Sequence, residues 1–428
     1  MKKDSNNATI LLITDDAYLQ HLTLERKDQV MFDLFWLGFI AYSFGYSISQ
    51  TTLVSFIVCQ LFQSLGLISM IVAAFSQIRY KFEHPYLQVV FSLYLLWLLS
   101  IMLRGMAFDY DLIKVLLFDA YFGALLYFTP LVLLFPRNLF FYKRLFDVLF
   151  IFGIAFCGLT LLFAKVILFA DREDLVSRGI VEVFNRNLGI PTIFLLLTFL
   201  YHTPKRKILA LGIALVVMLL ALIKARRGLL LMTIIPVIIA YLFYLIESKS
   251  KILIILVSVV FGCAMVIYGM SIFEKSSLFS YMKDRGLEDT RTNVEIAFRR
   301  DMDTKDWLIG RGMLGEYYCP GIDENKTGYR SVIETDYLQT ILKGGIVSLG
   351  LLLLIIVPAM FLGLFASKNL LSKAAGAWIF WSILNMYPSN INTFSLNYLI
   401  MWISVGIGYS KAIRELPEEV LRLYFNPN

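Results

Sequence analysis

Charge is scarce in this chain. Asp, Glu, Lys and Arg together make up 17% of its 428 residues, where a soluble globular domain carries about 25%. Histidine is scarcer still, with His21, His84 and His202 the only three. Of the four cysteines, Cys59, Cys157 and Cys263 fall inside apolar blocks and only Cys319 lies in a polar segment. Neither a disulfide framework nor a thiolate metal site is therefore indicated. Acids and histidines nowhere reach the density of a divalent-cation site, so no metal is expected. The first 30 residues lack both a long apolar core and a small-residue cleavage site, and they read as a cytoplasmic tail rather than a signal peptide.

What the chain has in abundance is apolar residues, 58% of the total, arranged in many blocks of about 17 to 25. Blocks of that length span a bilayer as helices, whereas an outer-membrane barrel would show roughly ten-residue alternation. The fold class expected is an all-α polytopic membrane protein with about twelve spans: 31–50, 53–75, 87–103, 115–135, 145–169, 187–201, 208–223, 228–246, 252–273, 345–366, 374–388 and 395–410. These give a tail at 1–30, a membrane domain at 31–273, an outer loop with helix entry at 274–344, a second membrane stretch at 345–410 and a tail at 411–428. With the N-terminus inside, the five inner loops together carry twelve Lys and Arg against two acids, Glu83 and Glu247. The positive-inside rule selects this orientation and puts both tails in the cytoplasm. The overall excess of seven positive charges is then explained by inner loops facing an anionic leaflet, and no nucleic-acid partner is implied.

One short loop breaks the rule. The stretch "ALIKARRGLLLM" places Lys224, Arg226 and Arg227 on the outer face, between two spans with no room to leave the membrane. Each cation near hydrocarbon costs up to about 2.5–3.5 kcal/mol on insertion scales. Snorkelling to headgroups accounts for one such residue; three together point to an anion site. Gly228, which has no side chain, lets a phosphate approach the N–H groups at the start of the following helix.

Other outer segments add candidates. "ADREDLVSRGIVEVFNRN" has Leu175, Val176, Ile180, Val181, Val183 and Phe184 spaced for a short amphipathic helix on the membrane surface, and its Arg186 abuts the next span. Arg186 reads either as a headgroup contact or as a wall of the cavity that Arg227 faces. The segment 274–333 carries ten Lys and Arg against eleven acids, so it is a candidate lid rather than a nonspecific basic patch. A helix is expected near 290–302, with Arg291, Val294, Glu295 and Phe298 at helical spacing. Gly310, Gly312 and Gly315 make a weak case for a phosphate loop, because no strand precedes them and the P-loop lysine pattern is absent. In "YRSVIETDYLQTILKGGIVSLG", Glu334 and Asp336 stand where a helix begins and runs toward a break at Gly344–Gly345. Thr335 or Asp336 capping that helix explains one carboxylate; the other is left as a candidate base.

Several arginines at an outer pocket suit a multiply charged anion anchored in the bilayer, since guanidinium forks match phosphate oxygens and stay charged when desolvated. A lipid diphosphate is such an anion. With a carboxylate to take a proton from an incoming hydroxyl, the set describes glycosyl transfer with diphosphate as leaving group.

At these residues the chain resembles the bacterial O-antigen polymerase and O-antigen ligase group. The resemblance rests on the many spans, on "KARRGLLL" at the head of a span, on "DWLIGRG" in one large outer loop, and on "ETDYLQTILKGGIVSLG". It implies a fold like the lipid-dependent membrane glycosyltransferases (GT-C-like), in a bacterial inner membrane with a periplasmic active site. It implies no metal or other cofactor. It also implies that Arg227 and Arg291 contact the undecaprenyl diphosphate of a lipid-linked oligosaccharide repeat unit, helped by Arg226, Arg186 and Lys224. Glu334 stands where ligases carry a histidine base, with Asp336 as the alternative. Trp307, Tyr317, Tyr318, Tyr329 and Tyr337 are candidates for stacking on sugars or anchoring at the interface. Membrane lipids and a chain-length regulator are further candidate partners. The missing outer histidine favours the polymerase over a ligase acting on lipid A core. A lipid-linked oligosaccharide flippase is the rival of another class, although the cations here gather at one face rather than along a path.

Overall fold

The computed structural model describes residues 24–51, 54–105, 109–120, 123–170, 174–248, 250–252, 256, 290–320, 328–389 and 393–426. Among them, eight helical stretches are long and apolar enough to cross a membrane, which makes this an all-α polytopic membrane protein. They are α1 (Arg26–Ser49), α2 (Phe56–Gln77), α3 (Pro85–Leu103), α5 (Leu139–Leu162), the composite Val176–Leu197 that opens with α6 (Leu175–Phe184), α7 (Pro204–Ile223), α8 (Arg227–Glu247) and α11 (Asp336–Phe365). The two apolar blocks after α11 form shorter helices, α12 (Leu370–Asn385) and α13 (Leu396–Tyr409). The block expected at 115–135 is broken: α4 (Tyr110–Phe118) ends where Asp119 turns extended, and helical turns resume over Leu125–Phe128 and Thr129–Leu134. The expected span 252–273 lies almost wholly outside the described residues. The segment read as a surface amphipathic helix is α6, but Ile180, Val181, Val183 and Phe184 are all buried in the protein core. It continues through a π-helical turn, Asn185–Gly189, into the body of the membrane domain.

Close backbone approach joins the first two helices. A Cβ on Gly38 would sit 2.6 Å from the carbonyl of Gly66, and one on Gly66 2.5 Å from that of Gly38. Small residues at such crossings let helices associate where no hydrophobic drive separates protein from lipid.

Two prolines inside long helices pose the opposite problem. Pro236 in α8 and Pro358 in α11 have no N–H, so the carbonyls four residues earlier, on Met232 and Leu354, lose their helical partners. Each is recovered from a neighbouring element. The Trp381 indole N–H donates to Met232 O at 2.9 Å, and the Tyr86 hydroxyl donates to Leu354 O at 2.9 Å. In apolar surroundings an orphaned carbonyl costs about 1–3 kcal/mol. We predict that Trp381→Phe and Tyr86→Phe each lower stability by about that amount, read as earlier thermal unfolding in detergent. Unchanged unfolding would mean that the carbonyls find other partners.

The loop before α7 holds His202. It is buried at 3% exposure, with Nε2 2.8 Å from the Thr198 hydroxyl and the ring edge-on to Phe146 at 4.7 Å. Burial, helped by the charges of Arg206 and Lys207, pushes its imidazole down to about 3. A depressed histidine leaves the folded state fully stable above the unfolded value near 6.5. As pH falls from there toward 3, the unfolded chain takes a proton that the folded chain refuses. Stability should therefore drop below pH ~6.5, by up to about 1.4 kcal/mol per pH unit, and His202→Gln should flatten that slope. Thermal unfolding across this range measures both.

Candidate functional site

The "KARR" stretch is the connection between α7 and α8. It turns at Ala225, whose φ of 50° makes it the non-glycine residue in the left-handed region among the described residues. Such a conformation costs about 1–2 kcal/mol per residue and marks a turn held by its surroundings. Arg226 follows as the N-cap of α8, its N–H donating to Ala221 O at 2.7 Å. Its Nη2 lies 3.0 Å from Glu182 Oε2, while Arg186 Nη2 lies 3.0 Å from Glu182 Oε1. One carboxylate on α6 thus bridges two guanidiniums, one from the π-turn that follows α6 and one from the head of α8. Arg186 reaches Glu182 because residues four apart share a helix face. Its backbone carbonyl accepts from Asn397 Nδ2 of α13 at 2.8 Å, which fixes the turn against the C-terminal helices. Arg227 begins α8 and is exposed. Arg186 and Arg226 thus share Glu182, and Arg227 follows Arg226 in the chain. Arg226 and Arg227 stand at the N-terminus of a 21-residue helix, where the macrodipole favours anions.

Two expectations are corrected here. Lys224 does not stand in an exposed cation group: it is 1% exposed, and its ammonium donates to Ala170 O at 3.3 Å. Gly228 does not open a phosphate approach either, because a Cβ there would meet Pro388 O at 3.3 Å. The connection after α12 occupies that side. The same connection borders the start of α11, where the N–H groups of Asp336 and Tyr337 donate to Met386 O and the Tyr337 ring stacks on Tyr387 at 6.5 Å. The 386–389 turn is therefore flanked by the arginine cluster's helix on one side and the Asp336 end of α11 on the other.

The lid segment contains α9 (Thr290–Asp301), α10 (Thr304–Ile309) and a two-residue hairpin pairing Tyr317–Tyr318 with Tyr329–Arg330. Val294, Phe298, Met302 and Tyr317 form its core with Leu338, Ile341 and Leu342 of α11. Gly310 of "WLIGRGMLG" docks backbone to backbone on α11 at Gly344–Gly345, while Gly312 abuts Arg104. Gly345 has φ 70° and ψ −178°, a break inside the helix, and a Cβ there would lie 2.1 Å from Leu308 O. Arg311 N–H donates to Leu342 O and Gly312 N–H to Lys343 O. Arg311 itself is engaged by Asp301 and Asp306, with Nη2 2.6 Å from Asp306 Oδ2, so this glycine run is a packing device rather than a phosphate cradle.

Of the candidate bases, Glu334 is exposed, and Asp336 is fully buried. Thr335 is the N-cap residue of α11, but its side chain makes no capping bond to the helix; its hydroxyl donates to Glu295 Oε1 of α9 at 3.2 Å. Asp336 instead lines a cavity of about 50 Å³ at the junction of lid and membrane domain, along with Thr340, Lys343 and Ser348 of α11. Tyr94 of α3, Tyr127 and Tyr398 of α13 face them across it. Lys343 Nζ donates to Gly315 O at 2.8 Å. None of these three tyrosines, nor Lys343, was singled out above; the signal available was the recurrence of polar residues at 336, 339, 340 and 343 in an otherwise apolar helix.

The aromatic candidates separate by exposure. Tyr317 is fully buried with its hydroxyl on Val332 O, so it cannot stack on a sugar. Trp307 is half-buried, edge-on to Phe298. Tyr318 and Tyr329 are exposed neighbours across the hairpin, with centroids 5.3 Å apart. Arg291 belongs to α9 by its backbone, and its side chain lies outside the described residues.

Comparison of the chain with protein-family models, with curated proteins and with solved structures finds no match.

Changing Gly345 to Ala should break the lid's seat, because the side chain would need both a left-handed backbone and the space of Leu308 O. We expect Gly345→Ala to make the lid segment susceptible to limited proteolysis while the membrane helices stay folded. Protection equal to wild type would contradict the docking described here.

Proposed function

We propose that this protein is a polysaccharide polymerase of the O-antigen type. It transfers a growing glycan from undecaprenyl diphosphate onto the nonreducing end of another lipid-linked repeat unit, without a metal ion. The observation that carries this reading is the pair of guanidiniums, Arg186 and Arg226, bridged by Glu182 at the head of α8, where Arg227 is the first residue. A membrane protein that gathers cations at one helix head, with a folded segment seated on α11 and α3, is suited to a lipid-borne anion.

In the proposed reaction Asp336 takes the proton from the acceptor hydroxyl. The hydroxyl oxygen then bonds to the anomeric carbon of the donor, and the anomeric C–O bond to phosphate breaks. The electron pair leaves on the diphosphate, whose charge the arginines stabilise. Asp336 is preferred to Glu334 because it is buried on the cavity while Glu334 is solvent-exposed. The reading includes a twelve-span, GT-C-like architecture in a bacterial inner membrane, with both tails cytoplasmic and the arginine cluster and lid periplasmic.

Removing a charged group that stabilises a leaving anion costs about 10²–10³ in rate. In cells lacking the endogenous protein, Arg226→Ala and Arg227→Ala should therefore shorten surface glycan chains to one or a few repeats at normal membrane insertion. Asp336→Asn should lower activity more than Glu334→Gln does. Full-length glycan from the arginine variants would overturn the reading. Capping of lipid A core without chain extension would replace it with the ligase.

A further inference from the structure

Pro191 raises the same problem as Pro236 and Pro358, and raises it at an arginine. In the π-turn Asn185–Gly189, Ile190 N–H reaches back five residues to Asn185 O. The next N–H in that register would serve Arg186 O, but the next residue is Pro191, which has none. Asn397 Nδ2 of α13 donates to Arg186 O at 2.8 Å instead. Asn397 is buried, and its own carbonyl accepts from the Trp378 indole N–H at 3.1 Å. Trp378 lies against Trp381 with ring centroids 4.3 Å apart, and Trp381 donates to Met232 O in the second turn of α8. Both tryptophans are fully buried. Three side chains, Asn397, Trp378 and Trp381, thus join the carbonyl of Arg186 to the helix that Arg226 caps. Without the Asn397 donor, the simplest recovery is for Ile190 N–H to move from Asn185 O to Arg186 O, four residues back. That move converts the π-turn to α-helix and re-aims Arg186 and Glu182 relative to Arg226.

We infer that Asn397 is a positioning residue for the guanidinium pair. Its amide holds the π-turn that aims Arg186 and Glu182 at Arg226, and the two tryptophans fix that turn against α8. Asn397 touches no anion itself and acts through Arg186, whose fork suits the phosphate oxygens of a lipid diphosphate. Calling that diphosphate a glycan donor rests on the polymerase reading; the positioning does not.

The test measures calorimetric binding of geranylgeranyl diphosphate, a lipid diphosphate without a sugar, to full-length protein in nanodiscs. Wild type should bind it. Arg186→Ala should bind it about tenfold more weakly, as loss of a charge-assisted hydrogen bond implies. Asn397→Leu, close in shape but without a donor, should bind it about three- to tenfold more weakly. Added to Arg186→Ala, the same change should cost nothing further, because a residue that acts through another has no effect once that other is gone. Trp378→Phe removes only the N–H that holds Asn397 O, should weaken binding in the same direction, and carries the test if Asn397→Leu does not fold. Wild-type affinity in the folded variants, or an equal loss in the Arg186→Ala background, would overturn the positioning role. No binding by folded wild type would overturn it together with the diphosphate reading. The expected coupling in a protein that extends no glycan would keep the positioning role and remove the polymerase reading.

Discussion

The contact between two stretches of bare backbone seats the folded segment that precedes α11 on the membrane helices. Gly345 interrupts α11 in a conformation that an L side chain rarely adopts, and Leu308 O occupies the place a Cβ would need. Gly310 returns the contact, since a Cβ on it would lie 2.5 Å from Gly344 N. With side chains removed from both partners, the N–H groups of Arg311 and Gly312 pair with carbonyls of α11, and the lid becomes an extension of the helix's hydrogen-bonding. Trp97 adds its indole N–H to Gly344 O, and Arg104 reaches Gly310 O at 2.8 Å, so α3 clasps the junction from the other side. The cavity exists because these elements meet there.

Electrostatics at the second centre follows from how few charges the chain carries. Glu182 holds Arg186 and Arg226 in one orientation, and all three side chains are partly exposed, 16% to 29%. Lys224, by contrast, is consumed in holding a helix end. The connection after α12 touches both centres, through Met386 toward α11 and through Pro388 toward Gly228. One turn thus borders both the head of α8 and the Asp336 end of α11.

Much of the helical architecture was legible in the sequence because hydropathy over twenty residues is a long-range, redundant signal. The break at Gly344–Gly345 was legible too, since paired glycines in an apolar helix have few other uses. Orientation at single residues was not. The apolar side of α6 reads equally as lipid-facing or protein-facing, and only packing reveals that Val181 and Phe184 enter the core. Lys224 and Arg226 are two residues apart, yet the left-handed turn at Ala225 sends one to a carbonyl and the other to Glu182. Tyr94, Tyr127 and Tyr398 come from three separated segments, and no local pattern joins them. The proline carbonyls are similar: the need for a donor was readable at Pro236 and Pro358, but its source, Trp381 or Tyr86, was not.

One reaction tests glycan transfer by this protein. Purified protein in nanodiscs is incubated with lipid diphosphate-linked repeat units in the presence of EDTA, and the products are resolved by length. The account predicts a ladder of longer lipid-linked glycans with release of undecaprenyl diphosphate, and loss of both with Asp336→Asn. Folded wild-type protein that binds the lipid-linked donor yet returns it unextended would contradict it.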